Sequence, residues 1–103
     1  MKEIKKTNKY KRHLRKVLES NRKGIVDRLE TVIEKLQSGE RLGQEYRDHL
    51  LSDSGSFAGQ RECHISGDIL LIYILEKDEI ILNQIGSHSE VYEQNRKRAR
   101  IRK

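Results

Sequence analysis

The chain has 103 residues, 34% of them hydrophobic and 37% charged, with no proline or tryptophan and a formal net charge of +6. That length supports one domain with one modest core, and a single cysteine, Cys63, excludes an internal disulfide and suits a reducing compartment. No run reaches the ~20 apolar residues of a membrane helix, and "MKEIKKTNKY" lacks the apolar stretch of a signal peptide, so a soluble, cytoplasmic protein with no membrane partner is expected.

The charge is divided by position. Residues 1–23 carry ten Lys/Arg against two acids, 24–91 carry six against thirteen, and 92–103 carry six against one. Basic ends around an acidic middle point to phosphate-contacting surfaces at the termini. The last residues, "QNRKRARIRK", read either as such a surface or as a disordered tail. The division adopted is a domain over 1–92 and a basic tail over 93–103.

In chain order, "TNKYKRHLRKVL" places Tyr10, Leu14, Val17 and Leu18 at helical spacing with Thr7 or Asn8 as N-cap, which predicts a first helix. His13 falls on it and reads as a surface residue. After "SNRKG", the stripe Ile25, Leu29, Val32, Ile33 and Leu36, closed by Gly39, predicts a second helix. Residues 37–60, with Gly39, Gly43, Gly55 and Gly59, form a long connection holding one short strand, "EYRDH". The period then changes to that of strands: "RECHI", "DILLIYIL" and "EIILNQI" read as an antiparallel meander. The middle run is apolar on both faces and should be the central strand. The fold class is therefore α+β, a helical hairpin packed on a small twisted, mainly antiparallel sheet.

Chemistry concentrates in the second half, where His49, His64 and His88 each lie at a turn or strand end. Strand alternation sets Glu62, His64 and Ser66 on one face and Arg61, Cys63 and Ile65 on the other. Imidazoles titrate near neutral pH and serve as general acids and bases. If they converge, they suit metal-free phosphoryl transfer in RNA. One group would take the proton of a ribose 2′-hydroxyl, a second would protonate the departing 5′-oxygen, and cations would hold the phosphate charge. If they do not, each histidine is an ordinary polar residue at a strand edge. No C-x-x-C or paired-histidine spacing is present, and Cys63 and His64 point to opposite faces, so no metal site and no cofactor is expected. Cys63 reads as a small core residue.

"YRDHLL" (46–51), "GSFAGQRECHISGDILLIYIL" (55–75) and "LNQIGSHSEVY" (82–92), in this order and spacing, resemble the YafQ-like branch of the RelE/ParE superfamily of bacterial toxins. The resemblance implies a RelE-like fold and a ribosome-dependent endoribonuclease, an mRNA interferase that inhibits translation. It implies the ribosome and mRNA as partners, together with a DinJ- or RelB-like antitoxin expected to bind DNA. It also implies a catalytic set of His49, His64, Asp68 and His88, with Tyr92 shaping the site and Glu62, Arg61 and Arg47 beside it in contact with substrate. Leu50 stands where the family commonly has proline, and Ile69 where it often has an aromatic. Two other classes stay open here: a ParE-like inhibitor of a protein such as DNA gyrase, and a non-catalytic RNA-binding domain resting on the first helix and tail.

Overall fold

The protein is described here by a computed structural model covering residues 1–20, 24–51 and 58–92; the basic tail and Gly55 lie outside the described residues. The two expected helices are present as α1 (Asn8–Glu19) and α2 (Ile25–Ser38). Thr7 does two jobs at the start of α1. Its Oγ1 accepts the Tyr10 N–H at 2.9 Å and donates to the Asn83 carbonyl at 2.9 Å, so the cap also ties the helix to the sheet. Gly39, at φ +82°, ends α2 in the left-handed conformation that returns its N–H to the Leu36 carbonyl.

Five strands follow the order β1-β5-β4-β3-β2, with β1 (Glu3–Lys6), β2 (His49–Leu50), β3 (Arg61–Ser66), β4 (Ile69–Leu75) and β5 (Glu79–Ser87). The expected meander is β3-β4-β5, antiparallel throughout, and the doubly apolar β4 is central. β1 is an addition to the expected elements. Its sequence, EIKK, has only Ile4 to mark it, and Ile4 pairs with Ile80 as β1 runs parallel to β5, which makes the sheet mixed.

"EYRDH" departs from the single strand expected there. Gln44–Tyr46 forms a 3-10 turn and only His49–Leu50 pair with the sheet. Tyr46 accounts for this: it is buried under α2, with the Arg28 guanidinium 5.4 Å and the Lys35 ammonium 6.0 Å from its ring. Those contacts draw the segment onto the helix and away from the sheet edge.

The sheet has two unlike faces. Cys63, Ile65, Leu71, Tyr73, Ile80 and Leu82 point to α1 and α2 and join Tyr10, Val17, Leu29, Val32 and Leu36 in the core. Glu62, His64, Leu70 and Ile72 alternate onto the other face, which carries the polar groups. A bulge pairs Tyr73 with Leu82 but Ile72 with Gln84, leaving Asn83 as the extra residue. This shift in phase brings Gln84 onto the same face as Ile72.

A third helix opens at residue 88. The Ser87 N–H donates to Glu90 Oε1 at 2.9 Å and the Glu90 N–H donates to Ser87 Oγ at 3.2 Å. This reciprocal pair is a capping box. It holds Glu90 below the usual carboxylate range, chiefly through the Ser87 N–H, and makes His88 the first helical residue. Glu90 also faces His13, which is half-buried on α1 rather than fully on the surface; burial first, and then Lys9, Lys16 and Arg12, lower its pKa.

Candidate active site

The dipeptide Asp48-His49 straddles the sheet edge. Arg47 precedes it at φ +48°, among the described residues the one non-glycine with positive φ, a conformation that costs an L-residue roughly 1–2 kcal/mol. The kink turns the Arg47 carbonyl to accept from His49 Nδ1 at 2.7 Å. Asp48 then points to the helix-covered face. There its carboxylate accepts from Arg61 Nη2 at 3.1 Å and Nε at 3.4 Å, and from the Tyr73 hydroxyl. His49 points the other way.

On the open face the organising group is Glu62, whose side chain is 7% exposed. The register pairs His49 with Glu62 across β2 and β3, and His49 Nε2 lies 3.2 Å from Glu62 Oε2. His64, two residues along β3 and thus on the same face, brings its Nε2 to 3.9 Å from the same oxygen. From the third helix, the Tyr92 hydroxyl donates to Glu62 Oε1, and the His88 ring lies 4.6 Å from the Tyr92 ring. Burial, and then the bond to Glu62, push the Tyr92 phenol well above its ordinary value.

These contacts decide what the arrangement can do. Both ring nitrogens of His49 face oxygen atoms, the Arg47 carbonyl at Nδ1 and the Glu62 carboxylate at Nε2. His64 is close enough to share the Glu62 charge but beyond hydrogen-bond distance. A buried carboxylate thus stands beside two imidazoles and a phenol, groups of the kinds that serve as general acids and bases. His49 is 51% exposed and His64 27% exposed at the side chain, so both rings open to a ligand.

Of the residues singled out in the sequence, His49, Glu62, His64 and Tyr92 meet directly, and His88 joins through Tyr92. Asp68 occupies the exposed turn between β3 and β4. Ile69 pairs with Ser87, so Asp68 and His88 emerge at the same end of the sheet. Arg61 and Arg47 are set apart from this group. Arg61 is engaged by Asp48 on the helix-covered face, and the Arg47 side chain, exposed, lines a cleft of about 680 Å³ there with Arg41, Asp48, Arg61 and Tyr73.

Two features were not anticipated. Tyr73 joins Asp48 from 25 residues away in sequence, and the alternation that hides it was the only available sign. Gln84 is 2% exposed and its Oε1 is buried without a hydrogen-bond partner. A glutamine inside a β-branched run is the signal that marks it.

Comparison with known proteins adds the relatives. The family described as the YafQ bacterial toxin of type II toxin–antitoxin systems matches residues 2–93. A protein of Haemophilus influenzae named as a candidate YafQ toxin is 40% identical over 53 residues, which are 48% of this chain and 50% of that protein. The chain thus aligns with only about half the length of that relative. Among solved structures, a copper-bound variant of a toxin from Helicobacter pylori superposes with a TM-score of 0.78 at 32% identity, covering 89% of this chain and 100% of that one. A DinJ–YafQ complex from E. coli gives 0.77 at 20% identity, covering 89% and 99%, a likeness of fold alone. A further structure of a toxin from H. pylori, described as metal-bound, superposes at 28% identity with a TM-score of 0.77 and coverage of 89% and 100%. In the present chain, no group of three or more His, Cys, Asp or Glu among the described residues is arranged to hold an ion.

Proposed function

Because the chain belongs to the YafQ family of type II toxin–antitoxin toxins, we propose that it inhibits translation as a cytoplasmic, ribosome-dependent endoribonuclease. It cuts mRNA by acid–base chemistry that needs no metal. The observation that carries this reading is the convergence of His49, His64 and Tyr92 on the buried Glu62. A protein that only bound another protein would have no use for a carboxylate shared by two imidazoles.

In the reaction, one group of the cluster takes the proton of a ribose 2′-hydroxyl. The freed oxygen attacks the adjacent phosphorus, forming a 2′,3′-cyclic phosphate. The bond to the 5′-oxygen breaks, and a second group gives that oxygen its proton. Each positioned acid or base contributes roughly 10²–10⁴-fold. Glu62 holds the rings and offsets the positive charge that develops on them. His88 and Asp68, at the neighbouring sheet end, act on the phosphate side, and the Tyr92–His88 ring pair gives a surface on which a base can stack. The basic first helix supplies backbone affinity for RNA that does not depend on sequence.

The partner is an antitoxin, by analogy with the DinJ bound to YafQ in the E. coli complex; it is expected to be DinJ- or RelB-like with a DNA-binding domain of its own. An acidic segment of such a protein would suit the basic α1. The test is the chemistry of the ends. Incubation with translating ribosomes should yield fragments with 2′,3′-cyclic phosphate and 5′-hydroxyl termini, and naked mRNA should be cut far less. Fragments with 5′-phosphates, or no fragments from folded protein, would contradict the reading.

A further inference from the structure

We propose that Asp48, Arg61 and Tyr73 form a clasp that positions His49, holding the Asp48-His49 dipeptide across the sheet edge so that the imidazole meets Glu62 on the opposite face. β2 is two residues long and lies at the edge of the sheet. Its register rests on two pairs, His49 with Glu62 and Leu50 with Arg61, and one further bond from the Leu51 N–H to the Gln60 carbonyl at 2.9 Å. Strands this short are easily displaced. The His49 side chain is half exposed, so packing does not fix the ring.

The clasp supplies what β2 lacks. Tyr73 is fully buried in the central strand, and its hydroxyl donates to Asp48 Oδ1 while Arg61 donates to both carboxylate oxygens. Such a charge-assisted, two-point contact fixes direction as well as distance. Tyr46, buried under α2, anchors the chain on the near side of Arg47, and Asp48 anchors it on the far side. Between them Arg47 is held at φ +48°, a strained state that persists only where its surroundings over-determine it. That kink is what sends the Arg47 carbonyl to His49 Nδ1. The clasp thus sets both the backbone and the ring orientation of His49, without touching substrate.

This inference rests on His49 acting in the proposed reaction, so its test has one readout that needs no cleavage. Tyr73→Phe removes a single oxygen; Asp48→Asn keeps the shape of the carboxylate and removes its charge. In folded protein, both should shift the imidazole NMR signals of His49 and leave those of His64 in place. On ribosomes, Tyr73→Phe should lower kcat about ten- to a hundredfold with KM little changed, the size expected of a misplaced group. Added to His49→Ala, it should lower the rate no further. Unmoved His49 signals with a wild-type rate would overturn the proposal, as would an equal loss of rate in the His49→Ala background. If the wild type cuts nothing yet the His49 signals move, the nuclease reading fails and the clasp stands.

Discussion

At the scale of single residues, Glu62 and Cys63 are neighbours on one strand with opposite fates. Glu62 faces two histidines and a phenol, so Glu62→Gln, which keeps its size, should lower cleavage about 10²-fold, with the melting temperature as the control for folding. Tyr92→Phe should cost less, since it removes one donor and leaves the carboxylate in place. Cys63 is 0% exposed and burial pushes its thiol well up. It should resist alkylation in native protein and react only on denaturation; rapid native labelling would show that the core face is open. That Glu62 and His64 share a face was legible in the sequence, because alternation on "RECHIS" assigns faces within six residues. The Asp48–Tyr73 contact was not, because no local pattern tells which of two distant polar groups a folded sheet will join.

Among the elements, the capping box carries the most weight for the site, since the helix it starts delivers His88 and Tyr92. Ser87→Ala should destabilise the protein by about 1 kcal/mol and loosen Tyr92 from Glu62, seen as faster amide exchange over residues 88–92. The pH dependence follows from Glu90, whose pKa is depressed below its ordinary 4.5, first by the Ser87 N–H. A depressed carboxylate stabilises the fold above its unfolded value, and that contribution is lost as pH falls through the lower, folded value. Glu90→Ala should therefore lower stability near neutrality, where the ionised side chain contributes, and flatten the further loss of stability below about pH 4.5, as an acid titration of unfolding would reveal. Helices α1 and α2 were readable because apolar spacing and caps agree. β1 was not, because an edge strand paired on one side can be as polar as EIKK.

Across the whole molecule, the sheet separates the core from the candidate site: α1 and α2 seal one face, and the Glu62 cluster occupies the other. A partly exposed residue such as His64 should be removable with little change in melting temperature, whereas Leu71→Ala, at 0% exposure in the central strand, should cost roughly 2–5 kcal/mol. That loss is a large share of the roughly 5–15 kcal/mol that stabilises a domain, so the variant should melt at a clearly lower temperature. The fold class was legible because the hairpin of helices and the three-strand meander are local patterns. The edges of the sheet were not, since both β1 and β2 form through contacts with distant residues.

The measurement that bears most directly on the account is single-turnover mRNA cleavage on programmed ribosomes by the wild type, His49→Ala and His64→Ala, with and without EDTA. Cleavage by the wild type in EDTA, with losses of about 10²-fold or more in both folded variants, is the predicted result. Cleavage abolished by EDTA, or variants that cut as fast as the wild type, would contradict metal-free acid–base catalysis at the Glu62 cluster.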